Sequence, residues 1–458
     1  MSKLCYHRSM ERTALHDLKQ WWRQTPVKRK PLIVRGARQV GKSFLVRDFC
    51  LRQGLNCFEI NFEKEPGLRR LFVEGDNSRT ISLLEPHFGE PLDSKSVLFL
   101  DEIQAAPEVF SRLRYFYEDT PEIAVMAAGS LLEFSLAELQ YSVPVGRIEY
   151  LYLGPMRFEE FLKAQGEESF LKLLKEWDPK NSKTMIPDVF HEKLLSFARD
   201  FSFVGGMPES IARFTSKRDF LEAGSAQRSI IETYREDFSK YRKRIPIERL
   251  EKVFDLLPSQ VGKKWVHARI NPHEKAHSIE IALEALCKAR VAQQVFHSSG
   301  NGVPLRAERK DNLYKVLFLD VGLMGNQLGL RIKDLVDPSS LIRVNEGSLA
   351  EQWIGQHLLD LRTPSQTPEL SYWVREKTGS LAEVDYLFSH GPFVIPVKVK
   401  AGPSTKAQSL QVFLSEKKKS PVAVHFSLNP AEFDPDRKIL SLPFYLIEQL
   451  PRILDSLI

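Results

Sequence analysis

A glycine-rich loop between a predicted strand and a predicted helix constrains this chain more than any other feature. Leu32, Ile33 and Val34 predict a short buried strand, residues 36–43 follow the pattern G-x-x-x-x-G-K-S, and residues 44–51 carry apolar side chains at helical spacing. This order of strand, loop and helix is the context in which the Walker A phosphate-binding loop occurs. The segment therefore predicts an α/β P-loop domain that binds a nucleoside triphosphate.

The residue types in this loop are those that phosphate binding requires. Gly36 and Gly41 let the backbone turn so that successive N–H groups point at phosphate oxygens. Lys42 is expected to reach the β- and γ-phosphates, and Ser43 to bind Mg²⁺ at the N-terminus of the helix. Arg38 lies inside the loop. It could contact the nucleotide, a neighbouring subunit or neither, and the sequence does not decide between these. The predicted nucleotide-binding residues are Gly36, Ala37, Arg38, Gln39, Val40, Gly41, Lys42, Ser43 and Phe44.

A second apolar run ends in two acids. Residues 96–102 read SVLFLDE, which predicts a buried parallel strand with Asp101 and Glu102 at its carboxyl end. Ligands bind at this end of the strands in open α/β sheets. We expect Asp101 to hold Mg²⁺ through water and Glu102 to orient and polarise the attacking water. Such a run is weak evidence alone, but it gains weight because it follows a P-loop.

Ser130 and Arg147 are further candidates for contacts with the γ-phosphate. Ser130 ends the predicted strand 122–130, where it could contact the γ-phosphate or the attacking water; a plain turn is the alternative. Arg147 begins the predicted strand 146–153, where it could stabilise γ-phosphate charge; a solvated arginine at a strand edge is the alternative. The sequence leaves both alternatives open.

Five phrases of the sequence resemble a large prokaryotic group of AAA-type ATPases, in which a C-terminal domain of unknown function follows the ATPase. They are RGARQVGKS, FLDEIQ, AGS, GR and LGPMRFEEF, all between residues 35 and 161. The resemblance extends over most of the chain. It implies nucleotide, Mg²⁺ and hydrolytic roles for Lys42, Ser43, Asp101 and Glu102, a sensor role for Ser130, and ATP as the nucleotide.

The middle of the chain is predicted to be helical and then to form a hairpin. Residues 156–240 have helical patterns with a break at 205–209, which is most simply a tight turn. A predicted helix at 279–290 precedes extended segments at 291–296 and 314–320. Helices followed by a β-hairpin indicate a winged-helix fold, which the resemblance also implies. Winged helices bind DNA or proteins, and the fold alone does not decide between them.

The C-terminal third resembles the PD-(D/E)xK nuclease-like fold. Glu351 on a predicted helix and Asp385 on a predicted strand match its acidic positions, and Lys400 matches its lysine. Lys398 stands where an active site needs an acid, and strand alternation directs Lys398 and Lys400 to the same side. Two ammonium groups oppose Mg²⁺, which requires carboxylate oxygens. We therefore predict a nuclease-like domain without nuclease activity, which could still bind DNA, protein or an anion.

The charge of the chain permits a nucleic-acid partner without requiring one. A net charge of +6 over 458 residues is mild, so binding would need a clustered patch. The candidates are the stretch Lys263, Lys264 and Trp265, which could meet a phosphate backbone, and the run Lys417–Lys419. For both, a solvated basic surface is the alternative.

Cysteine spacing and hydropathy indicate a soluble cytoplasmic protein. Cys5, Cys50, Cys57 and Cys287 fit neither a zinc site nor a disulfide framework. No apolar run approaches the roughly 18 residues of a membrane span, so no membrane association is expected.

The predicted fold class is α/β, with several units in one chain. Domains typically hold ~100–200 residues, so two to four units are expected. The predicted organisation is 1–160 for an AAA-type P-loop ATPase core, 161–245 for a helical lid or linker, 246–335 for a winged-helix-like domain and 336–458 for a degenerate nuclease-like domain.

The predicted function is Mg²⁺-dependent ATP hydrolysis that switches the position of the C-terminal modules, with ATP and Mg²⁺ as cofactors. Three alternatives stay open: a nucleotide-gated DNA-binding regulator with slow turnover, an ATP-dependent nuclease, and an ATP-independent scaffold. DNA, an unknown protein and a second copy of the chain are the candidate partners.

Overall fold

The structure, a computed structural model, describes residues 10–73, 76–130, 146–241, 245–272, 274–330, 346–361, 365–375, 382–402 and 407–458. The chain divides into two compact units. The first ends at Gly154, and the second begins at Pro155 and continues to the C-terminus, except for two short segments near residues 288 and 365 that group with the first. Within the described ranges, no helix is both long enough and apolar enough to cross a membrane.

The first unit is built on a parallel sheet. Its strands are β1 (Leu32–Arg35), β2 (Asn56–Asn61), β3 (Ser96–Asp101), β4 (Ala124–Gly129) and β5 (Glu149–Tyr152). Its helices are α1 (Leu15–Trp22), α2 (Lys42–Gln53), α3 (Asn77–Phe88) and α4 (Val109–Asp119). The five strands lie in the order β2-β3-β4-β1-β5, and every neighbouring pair is parallel. This confirms the predicted α/β P-loop fold.

The sheet order explains which strands are most apolar. Every residue of β3 and β4 is buried, because a parallel sheet that is covered on both faces shields its central strands from water. Aromatic side chains such as Phe62, Phe72, Phe110 and Phe116 fill the core on one face. The carboxyl ends of all five strands lie at one edge of the sheet, where Asn61 is level with Asp101 and Arg35 with Gly129.

The second unit combines helices with a mixed sheet. Its helices are α5 (Phe158–Ala164), α6 (Glu168–Glu176), α7 (Asp188–Val204), α8 (Pro208–Lys217), α9 (Phe220–Asp237), α10 (Ile247–Gln260), α11 (His267–Ile270), α12 (Ala276–Lys288), α13 (Val321–Gln327), α14 (Glu346–Asp360), α15 (Gln408–Glu416) and α16 (Leu450–Leu457). Its strands are β6 (Ala292–Ser298), β7 (Arg309–Phe318), β8 (Leu370–Val374), β9 (Glu383–His390), β10 (Phe393–Val399), β11 (Ala423–Ser427), β12 (Glu432–Asp434) and β13 (Ile439–Pro443). The eight strands lie in the order β12-β13-β11-β10-β9-β8-β6-β7.

One sheet joins two regions that the sequence predicts as separate domains. Helices α10 to α12 and the antiparallel hairpin β6–β7 follow the order predicted for the winged-helix segment. However, β6 also pairs in parallel with β8, which belongs to the predicted nuclease-like domain. The hairpin is therefore the end of a larger sheet. The predicted boundary between residues 335 and 336 lies outside the described residues.

The helices predicted as a lid or linker also group with the second unit. The predicted boundary at 160 falls inside α5, whereas the structure divides the chain after Gly154. The turn at 205–209 holds these helices together. The Met156 N–H donates to the Gly206 carbonyl at 2.6 Å, and the Gly206 N–H donates to the buried Asp320 carboxylate at 2.7 Å. This turn thus ties the start of the unit to the N-terminus of α13.

Candidate nucleotide-binding site

The glycine-rich loop lies between β1 and α2, and its shape depends on two glycines. Gly41 caps α2 with φ 93° and ψ 27°, a left-handed conformation that favours glycine. A Cβ at Gly36 would lie 2.3 Å from the Leu153 carbonyl oxygen, so a side chain there would push the loop away from the end of β5. The exposed Gln39 also has a positive φ, 63°. The residues between the glycines are therefore held in a tight turn.

Lys42 folds back into this loop. Its side chain is buried, and Nζ donates to the carbonyls of Gly36 at 3.1 Å and Ala37 at 2.8 Å. The ammonium is thus surrounded by the loop backbone at the N-terminus of α2, where partial positive charge also collects. The charged lysine and the N-terminus of the helix together favour binding of an anion in the loop.

Ser43, Asp101 and Asn61 meet beside the loop. The Ser43 hydroxyl donates to Asp101 Oδ1 at 2.9 Å, and the Asn61 amide donates to Asp101 Oδ2 at 3.1 Å. Burial raises the pKa of the Asp101 carboxyl because desolvation disfavours its charged form, whereas these two hydrogen bonds act in the opposite direction. A hydroxyl and a carboxylate side by side form a donor set of the kind that Mg²⁺ prefers.

Asn61 was not singled out from the sequence. It ends β2, the strand next to β3, and its side-chain oxygen Oδ1 accepts the Glu63 and Lys64 N–H groups at 3.1 and 3.0 Å. This turn fixes the amide so that its NH₂ faces Asp101. In the sequence, a polar residue at the end of a predicted strand could have indicated Asn61 as a site residue. Only the strand order shows that β2 lies next to β3, which brings Asn61 to Asp101.

Glu102 follows Asp101 in an unusual backbone conformation. Its φ is 51° and its ψ 44°, in the left-handed region that residues other than glycine seldom occupy. The Ala105 N–H donates to the Glu102 carbonyl at 2.9 Å, and the Gln104 side-chain amide donates to the Glu102 carboxylate at 2.5 Å. Both the backbone and the side chain of Glu102 are therefore held in place, at the carboxyl edge of the sheet.

The remaining loop residues surround this centre. Ala37 and Val40 are buried, whereas Arg38 and Phe44 are half-buried. Ser130 is buried and follows β4, the strand between β1 and β3, so it lies at the same edge as the loop. The structure thus brings Ser130 to the edge that carries Ser43, Asp101 and Glu102.

Arg147 does not lie at this edge, contrary to the expected γ-phosphate contact. In the parallel pairing of β5 with β1, Glu149 is level with Leu32, so Arg147 precedes the amino end of the sheet. At about 3.3 Å per residue, this is roughly 20 Å from the loop after Arg35. Its Nε lies 2.7 Å from Glu118 Oε1, and its guanidinium lies over the Tyr117 ring. Arg147 is therefore a surface arginine at the opposite edge, which was the alternative interpretation.

A second cluster of charged residues lies in the C-terminal unit. Lys398 Nζ donates to Asp385 Oδ1 at 2.6 Å, and the Val399 N–H donates to the other carboxylate oxygen at 2.7 Å. The buried Lys315 of β7 lies between Glu351, at 3.4 Å, and Glu383. Lys315 belongs to the hairpin region and was not predicted as part of this cluster.

Lysine side chains lie directly against the acids of this cluster. Burial alone would lower the pKa of Lys315, but the nearby carboxylates of Glu351, Asp385 and Glu383 raise it, so the ammonium stays charged. Lys400 lies just beyond β10 and is exposed. Across the described ranges, no group of three or more His, Cys, Asp or Glu side chains is arranged to hold a metal ion.

The predicted basic and aromatic stretch in the middle divides into surface and core. Lys263 and Lys264 are exposed, but Trp265 is buried and its ring stacks on Tyr314 at 6.5 Å. Trp265 therefore packs inside the unit, and the expectation that it contacts a phosphate backbone is wrong.

Three protein families match successive parts of the chain. Residues 28–162 match the family described as AAA domain. Residues 197–334 and 346–445 match two domains of unknown function, DUF8612 and DUF4143. Among proteins with curated functions, no sequence matches this chain.

Several solved structures are similar in part. A Walker-type ATPase of Pyrococcus abyssi has 16% identity and a TM-score of 0.43, covering 70% of this chain and 96% of its own. The ORC2 protein of Aeropyrum pernix, solved with ADPNP and ADP, has 13% identity and a TM-score of 0.38, covering 72% and 96%. The RuvB Holliday junction branch migration motor of Thermotoga maritima has 12% identity and a TM-score of 0.30, covering 63% and 93%.

The strand order, the loop geometry and the family match agree for the N-terminal part of the chain. A parallel sheet carries a Walker A loop after β1 and an acidic pair at the carboxyl end of β3, and both lie within the matched residues 28–162. The first unit of this chain accordingly has the P-loop α/β fold, and residues 28–162 are similar to the family described as AAA domain.

Proposed function

We propose that this chain is a Mg²⁺-dependent ATPase. The observation that carries the proposal is the 2.9 Å contact between Ser43 Oγ and Asp101 Oδ1, directly beside a loop that contains the buried Lys42. A phosphate-binding loop and a metal-binding acid come from distant parts of the sequence and converge at one sheet edge. This convergence favours a magnesium-bound triphosphate over a free phosphate or a structural loop.

The chain's own residues divide the binding task. The N–H groups of residues 36–44 and the Lys42 ammonium bind the phosphates, and the N-terminus of α2 adds favourable partial charge. Ser43 and Asp101 would hold Mg²⁺, Asp101 through water, and Asn61 orients the Asp101 carboxylate. When bound, the metal neutralises charge that develops on the phosphate oxygens.

Hydrolysis requires a group that directs water to the γ-phosphate. Glu102 follows the metal-binding acid, and its carboxylate is directed by Gln104; we assign it the role of orienting and polarising that water. Ser130 follows the strand between β1 and β3, so its hydroxyl is the proposed contact to the γ-phosphate or the water. Arg147 has no role in this site within the same chain, because it lies at the opposite edge of the sheet.

The test is steady-state ATP hydrolysis by the full chain, with tight Mg-ATP binding measured in parallel. Lys42→Ala should lose binding and turnover, whereas Glu102→Gln should keep binding and lose turnover. Lys95→Ala is the matched control, because Lys95 is exposed and precedes the amino end of β3. If wild type binds Mg-ATP without hydrolysing it, the role of Glu102 fails and a nucleotide-gated switch is the better account. Mg-ATP binding unaffected by Lys42→Ala would remove the proposed site altogether.

The second unit is proposed as the part that responds to nucleotide. Its family matches carry no function, so DNA and a protein remain the two candidate partners. Duplex DNA added to the hydrolysis assay separates them: a changed rate indicates a DNA-coupled ATPase or DNA-binding regulator, and an unchanged rate favours a protein partner. A cytoplasmic location and assembly with further copies of the chain are part of the same proposal.

Nuclease activity is not part of the proposed function. Lys398 Nζ donates to Asp385 Oδ1 at 2.6 Å, so a metal ion that binds this carboxylate would have to displace the charged lysine. Incubation of the full chain with single- and double-stranded DNA, ATP and Mg²⁺ or Mn²⁺ should show no cleavage. Cleavage that disappears in Asp385→Ala would instead support an ATP-dependent nuclease.

A further inference from the structure

Arg12, which precedes α1, contacts the back of the phosphate-binding loop. Its side chain is buried, and its guanidinium makes two hydrogen bonds to main-chain carbonyls that are distant in sequence. Nη1 donates to the Val40 carbonyl at 2.8 Å, and Nη2 donates to the Gly154 carbonyl, also at 2.8 Å. Arg12 therefore links the loop to the chain just beyond the carboxyl end of β5.

The contact with Val40 determines where a neighbouring N–H group points. In a trans peptide, the carbonyl of one residue and the N–H of the next point in opposite directions. Because Arg12 holds the Val40 carbonyl, the Gly41 N–H faces away from Arg12. A positive charge on the carbonyl side also polarises this peptide group, which makes its N–H a stronger hydrogen-bond donor.

The contact with Gly154 gives the guanidinium a fixed base. Gly154 follows β5, and the neighbouring Leu153 carbonyl lies so close to Gly36 that no side chain fits there. The first residue of the loop is thus placed by packing on this end of β5. Val40, near the other end of the loop, is placed by Arg12 on the same end of β5.

The position of Arg12 is itself supported from α2. Arg52 of this helix donates to Glu11 at 3.1 Å and to Asp48 at 2.8 Å. The Leu15 N–H donates to the Arg12 carbonyl at 3.1 Å, in the turn that begins α1. The segment before α1 is therefore anchored to the helix that follows the loop.

We infer that Arg12 is a positioning residue for phosphate binding, which holds the Val40–Gly41 peptide so that the Gly41 N–H is directed at a nucleotide phosphate. This inference rests on the proposed nucleotide-binding function. Burying a charged guanidinium is costly unless its donors are used, and here two of them are used on main-chain groups that shape and adjoin the loop. Arg12 acts through the loop and does not itself touch the nucleotide.

The experiment compares ADP and AMP binding to the full chain, by fluorescence titration with a labelled ADP and competition with AMP. Arg12→Met removes the donors and keeps much of the side-chain length. Its affinity for ADP should fall by roughly 10- to 100-fold, as expected for the loss of one or two charge-assisted hydrogen bonds. Affinity for AMP should fall less, because AMP lacks the β-phosphate. The preference for ADP over AMP therefore decreases.

Two further variants separate positioning from general stability. Arg29→Met is the matched control, since Arg29 is also a buried arginine of the first unit, but it donates to the Trp22 carbonyl at 3.4 Å and precedes the amino end of β1, away from the loop; it should keep the wild-type preference for ADP. Arg12→Lys retains one donor group and should recover part of the preference. Thermal unfolding without nucleotide records any loss of stability for each variant.

The outcomes distinguish this inference from the function on which it rests. If wild type binds no ADP or ATP, the proposed function and the inference both fail. If wild type binds and Arg12→Met keeps the same preference for ADP, or loses ADP and AMP affinity equally, only the inference fails. Should Arg12→Met not fold, Arg12→Lys decides: an unchanged ADP preference with unchanged affinity overturns the inference, and a partial loss supports it.

Discussion

The Gln104 side-chain amide donates a hydrogen bond to the Glu102 carboxylate, with 2.5 Å between Nε2 and Oε2. These residues lie in one short turn directly after β3, and Glu102 occupies the left-handed backbone region. Gln104 thereby determines the direction of the carboxylate that we propose as the water-orienting group. The two residues are close in sequence. The carboxylate lies beside the proposed nucleotide site only because β3 ends at the same edge of the sheet as the loop.

Removal of the Gln104 amide should slow ATP turnover more than it weakens ATP binding. In Gln104→Ala the Glu102 carboxylate can rotate away from the water position, and a small misplacement of a catalytic group reduces the rate by roughly 10- to 100-fold. The measurement is kcat and KM for ATP. Gln104→Asn, which keeps an amide at shorter reach, is the comparison variant. A Gln104→Ala enzyme with unchanged or faster kcat would contradict the positioning role.

Asn61→Ala should weaken the binding of Mg²⁺ more than the binding of nucleotide alone. The Asn61 amide holds one oxygen of Asp101, and partners of this kind typically contribute about 10- to 100-fold to metal affinity. The Mg²⁺ concentration for half-maximal hydrolysis should rise accordingly. ADP binding without Mg²⁺ should change little, which serves as the internal control. Equal Mg²⁺ dependence in variant and wild type would show that Asn61 does not support the metal.

Lys398→Met should destabilise the second unit. Asp385 is 1% exposed, and the substitution leaves its carboxylate without the ammonium partner. Removing one member of a buried ion pair lowers the free energy of unfolding by about 3 kcal/mol. The double variant Lys398→Met/Asp385→Asn should lose less, because the neutral amide can still accept the Val399 N–H. Lys400→Met, at an exposed position, is the matched control.

Urea unfolding of these variants is the measurement for this pair. The double variant must be more stable than Lys398→Met for the ion-pair account to hold. If both lose the same free energy of unfolding, the cost comes from packing of the lysine stem and not from an unpaired carboxylate.

His357 should make stability depend on pH below neutrality. It is buried; the Phe158 N–H donates to its Nε2 at 3.1 Å, and its Nδ1 lies 2.7 Å from the Trp353 carbonyl. Nδ1 therefore carries the hydrogen, and protonation of Nε2 would break the contact with Phe158. Burial lowers the pKa of His357 to about 4, whereas an unfolded histidine has a pKa of roughly 6.5.

These two pKa values determine how stability changes with pH. Between pH 6.5 and 4 the unfolded chain binds a proton that folded His357 does not, so stability is lost as the pH falls through this window. The loss amounts to about 3 kcal/mol in the free energy of unfolding. His357→Gln should flatten this dependence in urea unfolding, and His277→Gln, at an exposed position, should not. A His357→Gln profile as steep as wild type would contradict the assignment.

The sequence by itself determined the features that depend on short, contiguous patterns. The apolar run before Gly36, the helix from Lys42 and the acids at the end of β3 all follow from local periodicity and turn chemistry. These patterns predicted the α/β P-loop fold correctly. They also identified the residues that the structure brings together at one edge, namely Lys42, Ser43, Asp101, Glu102 and Ser130. Their chemical roles remain predictions.

Only the tertiary structure decided which distant groups meet. Arg12 reaches the loop, Asn61 reaches Asp101, and Lys315 reaches Glu351 because strand order and helix packing bring separated segments together. The same order places Arg147 at the wrong edge for γ-phosphate contact and joins the hairpin β6–β7 to the C-terminal sheet. Local periodicity shows which side of an element faces the core. The neighbour on that side is set by long-range pairing and burial, which no short stretch of sequence contains.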